Sequence, residues 1–215
     1  GILGFGLVAI GMEASLAGLA PLALIRAGVE EERASELLSI YFVVFLLARV
    51  ALIFVAHRVQ PFVLYTLAVG SAALFALGAV VLSPPIFFVA MGASAGVFFP
   101  GFYVTASTKM GEDIRVPPTI VASGLVGAIG APLILAPLVA GLGERGFFWL
   151  IAGVLSALVF ALFLTGSPLA LVVSPFTMLP LLLIGMSSTL LVGGLAAVSG
   201  VLVIGLIGGS LSWAA

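Results

Sequence analysis

Cysteine is absent from the sequence and histidine occurs once, as His57. Disulfides, thiolate metal sites and cysteine nucleophiles are thereby excluded, and one imidazole cannot build a histidine metal cluster. Charge is scarce too, at 7% of residues, where soluble domains carry roughly a quarter. The seven basic and eight acidic residues all lie between Glu13 and Arg145, and none occurs from Gly146 to Ala215. A water-soluble surface cannot be made from that tail. The formal net charge of −1 excludes nucleic acid as a partner and a strongly basic role at a membrane surface. There is no Ser-His-Asp arrangement, no phosphate-cradling loop and no metal-ligand spacing, so neither an enzyme nor a cofactor or metal site is expected.

What is present is hydrophobic: 63% of the 215 residues, with a mean hydropathy of +1.44. That composition belongs to an integral membrane protein, expected in a bacterial inner membrane with the lipid bilayer as its first partner. A spanning helix takes roughly 20 apolar residues plus a turn, which limits the chain to about eight spans. Barrel strands would alternate apolar and polar residues over about ten positions, and no segment does so. The fold class is therefore all-α, a polytopic transmembrane helix bundle. The chain begins at Gly1 with no charged segment before its first apolar run, so it reads as a processed chain or as part of a longer one.

Charge, glycine and proline punctuate the apolar stretches. A first span is expected from Ile2 to Ile25, followed by the polar loop Arg26 to Ser35. Glu36 to Gln60 makes a second and Pro61 to Leu82 a third, turning at His57-Arg58-Val59-Gln60-Pro61. A fourth runs from Ser83-Pro84-Pro85 to Thr108, and the polar connection Lys109 to Pro118 follows. Thr119 to Leu142 is the fifth and Gly146 to Leu164 the sixth. Residues 1–166 thus form a six-span unit. Residues 167–215 form a charge-free apolar tail, read as about two extra short helices turning near Ser199-Gly200, with one long tilted helix as the alternative. Basic residues are balanced between the two sets of loops, so the positive-inside rule alone leaves the orientation open; the acidic residues around Arg26, Arg33 and Arg145 favour the N-terminal side as cytoplasmic.

Two stretches resemble the major facilitator superfamily. The segment LLARVALIFVAHRVQPFVLY, where the second and third spans meet, resembles the degenerate C-terminal copy of its helix-loop-helix signature, with Arg49 at the upstream arginine and Arg58 at the loop arginine; His57 stands at the aspartate position and Gln60 at the glycine. Gly96-Val97-Phe98-Phe99-Pro100, and then GLVGAIGAPLILAPLVAGLGERG from Gly124 to Gly146, resemble the tenth and eleventh helices of that superfamily. GMEASLAGLAPL in the first span resembles its seventh. The resemblance implies the C-terminal six-helix half of such a transporter, over about residues 1–166, and leaves the tail unassigned.

The residues themselves point in the same direction. Glu13 lies in the middle of the first span, where an ionised carboxylate costs on the order of 3 kcal/mol on insertion scales. At helical spacing it shares a face with Gly6, Ala9, Ala17 and Ala20, which turns it into the bundle. It reads as a proton, cation or substrate contact, against a structural glutamate. Arg49, about 13 Å along the helix axis from Arg58, is its natural partner; an anion contact and a clamp on a helix end are the other readings. Tyr103 is the tyrosine expected in the pathway, whereas Tyr41 and Tyr65 are expected as interfacial anchors. Gly96, Pro100, Gly124, Gly127, Gly130 or Ala131, Pro132 and Pro137 are expected to pack or hinge the helices, small residues permitting close approach and prolines freeing carbonyls.

A secondary active transporter, or half of one, moving a small solute by alternating access with possible proton coupling, follows as the expected function. The alternative is a non-catalytic membrane subunit packed against a larger complex. The partners expected are accordingly a small-molecule solute and protons, with a missing transporter half, a homo-oligomer or a larger membrane complex completing the assembly.

Overall fold

A computed structural model describes residues 1–164. Six helices follow one another: α1 (Ile2–Arg26), α2 (Glu31–Val55), α3 (Pro61–Val81), α4 (Pro84–Met110), α5 (Val116–Gly141) and α6 (Gly146–Leu164). No strand occurs among the described residues. The first five are long and apolar enough to cross a membrane, and α6 is shorter. The chain is thus a helical integral membrane protein. The two-span expectation for the tail falls on residues 167–215, outside the described residues.

Local chemistry sets the boundaries. Proline begins α3 and α4 and stands in the first turn of α5, where its missing N–H costs nothing. Gly28 and Gly111, both at φ +89°, turn the chain after α1 and α4, a conformation that side chains with a Cβ rarely adopt. The second helix starts at Glu31, earlier than the Glu36 expected from apolarity, because acidic residues suit the positive end of a helix. It ends at Val55, before the expected Gln60: Ala56 to Gln60 already form the turn into α3. The fifth likewise starts earlier, at Val116.

α1 packs most extensively on α5, α4 on α3 and α2, and α6 on α3 and α1. Glycine makes the two tightest crossings. A Cβ on Gly127 would run into the Leu7 backbone carbonyl, and one on Gly11 would press on Ala131. Gly92 and Gly96, one turn apart on α4, lie against the α2 carbonyls of Tyr41 and Phe45, 2.6 Å from where each Cβ would stand. With no hydrophobic drive between helices in lipid, such backbone approach supplies the dispersion contacts that hold them. Gly124 adds an ordinary contact to Ile10, whereas Gly130 meets nothing within 4 Å. The packing expected at Gly130 or Ala131 therefore belongs to Ala131, because position 131 is the one that turns toward α1.

Two outcomes test this arrangement. Single cysteines placed at Glu31 and Glu112, both exposed, are separated by three helices and should label from opposite sides of a sealed vesicle; labelling from one side would refute the crossing pattern. Gly127→Ala should destabilise the detergent-solubilised protein, while Gly130→Ala should be neutral or stabilising by up to about 1 kcal/mol, the helix-propensity difference. Equal effects on thermal unfolding would show that the α1–α5 approach is not the constraint described.

Candidate functional site

The middle of α1 supplies Glu13, and α2 brings Arg49 to it. Arg49 Nη2 stands 3.5 Å from Glu13 Oε1, with the arginine side chain 40% and the glutamate side chain 19% exposed. The Arg49 guanidinium also lies over the Phe45 ring, 4.4 Å from its centroid, and its Nε donates to the Gly96 carbonyl of α4 at 3.3 Å. Two of the three readings open for Arg49 in the sequence thus combine: it pairs with Glu13 and clamps a backbone carbonyl, one inside α4 where a helix end was expected.

That carbonyl is available for a definite reason. In an α-helix the carbonyl of residue i−4 accepts from the N–H of residue i, and proline has none. Pro100 lies inside α4, so Gly96 loses its helical donor and Arg49 replaces it. The close approach of Gly96 to Phe45, one helical turn before Arg49, brings the two within reach. Pro21 inside α1 and Pro132 inside α5 deprive Ala17 and Ala128 in the same way. Both of these residues line a cavity of about 160 Å3 beside Glu13. Pro137 frees Leu133, which faces outward.

Two polar atoms in this region have no hydrogen-bond partner. Glu13 Oε2 is one, and the hydroxyl of Tyr41 is the other. Tyr41 is fully buried, stacked on Phe88 at 4.8 Å between ring centroids, and it lines the same cavity. It is a residue of the site that the sequence reading placed at the interface. The signal was available: Tyr41, Phe45 and Arg49 follow one another at four-residue spacing and so share one face of α2. Tyr65 is also buried and donates to the Phe5 carbonyl at 3.1 Å, fastening α3 to α1. Neither is an interfacial anchor.

The other expected positions fall around this centre. Ala9 and Ala20 are fully buried, Ala17 lines the cavity, and Gly6 packs against Phe102, so the small-residue face of α1 does turn inward. Tyr103 is half-buried with its ring on Phe99, 5.8 Å between centroids; it does not line the cavity. His57 and Arg58 are exposed, joined by a hydrogen bond from Arg58 Nε to His57 Nε2. Among the described residues no group of three or more metal-ligating side chains occurs. Chemically the site holds one carboxyl, one guanidinium and one free phenol in apolar surroundings, equipment for binding and for holding a proton.

If Arg49 serves the carbonyl that Pro100 exposes, the two positions are energetically coupled. In a Pro100→Ala background, where residue 100 regains its N–H, Arg49→Gln should cost about 1.5–3 kcal/mol less stability than in the native background, the range for a hydrogen bond involving a charged group. Equal costs in detergent unfolding would separate Arg49 from Gly96. The chain matches no family model, no curated protein and no solved structure.

Proposed function

We propose that the protein is a secondary active transporter, or half of one, that moves a small solute across a bacterial inner membrane by alternating access, with Glu13 as the proton-carrying group. The observation that carries this reading is the Glu13 carboxyl itself: mid-helix, tied through one oxygen to Arg49 and presenting the other, unpartnered, beside a cavity. An ionisable group inside a span is costly and is retained where it serves a pathway. Arginine keeps its charge in proteins, so a proton can be gained or lost here only by the glutamate. Proline-interrupted helices bordering the site suit a moving bundle, because discontinuous spans are where transporters place their binding groups. The sequence stretches around Arg49 and Arg58 and from Gly124 to Gly146, read as resembling the C-terminal half of the major facilitator superfamily, are in keeping with the same reading.

A second reading, a membrane subunit docked in a larger assembly, is favoured by one feature. Arg49 is 40% exposed on a helix whose only buried residues are Ala34, Leu37 and Tyr41. A guanidinium at that depth facing lipid is expensive, so a further body covering this face of α2 is called for. A second transporter half, another copy or a different subunit would each serve.

Alternating access can be tested without knowing the solute. Ala17→Cys, introduced into the naturally cysteine-free chain, should react with a membrane-impermeant thiol reagent from both sides of oriented proteoliposomes, at rates that shift in opposite directions with the pH on one side. Glu13→Gln should fold and insert but abolish that pH response. Reaction from one side only, independent of pH, would favour the static subunit.

A further inference from the structure

The guanidinium of Arg49 is only partly used by the protein. A guanidinium carries N–H donors on all three nitrogens, and Arg49 makes two hydrogen bonds, from Nε to the Gly96 carbonyl and from Nη2 to Glu13 Oε1. Nη1 makes none among the described residues, and the side chain stays 40% exposed. Beside these free donors lies room for carbon. The half-open cavity of about 160 Å3 is close in size to an engineered protein cavity that takes up benzene, about 150 Å3, so it suits one ring or a short branched chain. Its wall is almost wholly apolar, from Ile10, Ala14, Phe42, Phe45 and Ala128. Two of the residues that line it, Phe45 and Glu13, are the two side chains that the guanidinium touches. Helical side chains lean toward the start of their helix, which carries the Arg49 head group back over Phe45, one turn earlier on α2, to the border of the cavity.

We propose that Arg49 binds the carboxylate of a small apolar carboxylic acid, whose hydrocarbon part enters the cavity among Ile10, Phe42 and Phe45. The planar fork of a guanidinium matches the two oxygens of a carboxylate, and an apolar wall favours the hydrocarbon. An organic cation would be repelled by the exposed guanidinium. A polyol would lay its hydroxyls against carbon and leave them unpaired. An inorganic anion would satisfy the donors and leave the wall without a partner.

Charge balance then brings in a proton. In the empty site the Glu13 carboxylate neutralises Arg49. A second carboxylate on the same guanidinium would leave one uncompensated negative charge in apolar surroundings, and like charges so placed cannot both persist. One H+ from solution joins the Glu13 carboxylate as the solute's carboxylate takes over Arg49, so the site is neutral both with and without solute. The titratable and charged groups facing this pair are few. On α2 Tyr41 lines the same cavity, and on α1 the other charged residue, Arg26, is tied to Val139. α5 and α6 contain no titratable residue, and on α4 Tyr103 rests on Phe99 while Lys109 lies over Phe62. The proposal rests on the transport reading for its purpose, since it names the class of solute. Binding is measured without a gradient, however, so its failure is distinct from failure of alternating access.

The test is calorimetric titration of the purified full-length protein in detergent with benzoate near neutral pH, with benzyl alcohol and benzylamine as its uncharged and cationic counterparts. Saturable one-to-one binding of benzoate is expected, at least tenfold tighter than either counterpart. It should strengthen on acidification, with about one proton taken up per benzoate bound, as read from buffers of different ionisation heat. Glu13→Gln should keep the binding and lose both the pH dependence and the proton uptake, a split that a merely structural glutamate would not give. Arg49→Gln should lower affinity at least tenfold. Ala128→Leu, which fills the cavity from α5 and leaves the charged pair untouched, should do the same and decides the matter if the arginine variant does not fold. Absence of saturable binding, equal affinity for either counterpart, loss of binding or persistent proton uptake in folded Glu13→Gln, or unchanged affinity in either of the other folded variants would each overturn the assignment.

Discussion

A backbone carbonyl without a helical donor inside a bilayer has no water to turn to, and three long-range contacts of this structure supply one. Arginine is the repeated answer. Arg49 Nε donates to Gly96, left free by Pro100. Arg26 Nη1 reaches from the end of α1 to the last-turn carbonyl of Val139 on α5 at 2.7 Å. Arg145 Nη1, ahead of α6, donates to Val80 at the end of α3, where position 84 is again a proline. Each contact joins two elements distant in sequence, so three of the seven basic residues serve as interhelical ties at points where the helical ladder stops. The Arg49 tie differs in lying away from helix ends and in having a carboxylate on its other side.

The small residues then determine where the ties can form. Gly92 and Gly96 allow α2 and α4 to touch backbone to backbone, and Gly127 with Gly11 does the same for α1 and α5. Both α2 and α5 pack on α1 without packing extensively on each other. The cavity lies in the gap so left, with Phe42 and Phe45 from one side and Ala128 from the other. Larger side chains along α1 would close it, yet positions 14 and 17 are alanine. An empty space beside a carboxylate thus follows from the same small residues that let the helices approach.

Much of the fold could be read from the sequence because the signals are coarse. Apolar runs of spanning length, broken by proline and charge, place α1 to α5 within a few residues, the largest discrepancy being the five-residue shift of both ends of α2. At its start the charged segment Glu31 to Glu36 looks like loop by apolarity, but its acids favour the first helical turns. The site is half legible. Glu13 and Arg49 stand out because charge is conspicuous in apolar spans, and their pairing was among the alternatives. Tyr41 escaped because tyrosine is common at interfaces and only its register with Arg49 distinguishes it. The service of Arg49 to Gly96 was hidden for another reason: Pro100 tells which carbonyl is freed, but only the packing of α2 on α4 tells which donor arrives.

The charged pair also joins two closely packed bodies, the helix pair α2–α4 and the helix pair α1–α5, in a bundle where α1 packs on α4 as well and α3 packs on both α4 and α6. α2 and α4 are held together by glycine contact and by the Arg49 bond to Gly96, neither of which involves Glu13. α1 and α5 are held together by glycine contact and, at their ends, by Arg26 on Val139. The polar link between the bodies in mid-membrane is the 3.5 Å pair of Glu13 and Arg49, alongside the packing of α1 on α4. Glu13 takes no part in the Arg49 bond to the Gly96 carbonyl or in the Arg49 contact with Phe45, so neutralising it removes the ionic part of that link alone. A group that can be neutralised without disturbing either packing interface is well placed to alter how the interfaces sit relative to each other. The converse arrangement, with the guanidinium relying on the carboxylate alone, would expose an unpaired charge in apolar surroundings at every protonation, at a cost of several kcal/mol. The exposed carbonyl of Gly96 therefore gives α2 a standing partner, and makes the bond to Glu13 one that can be broken and remade.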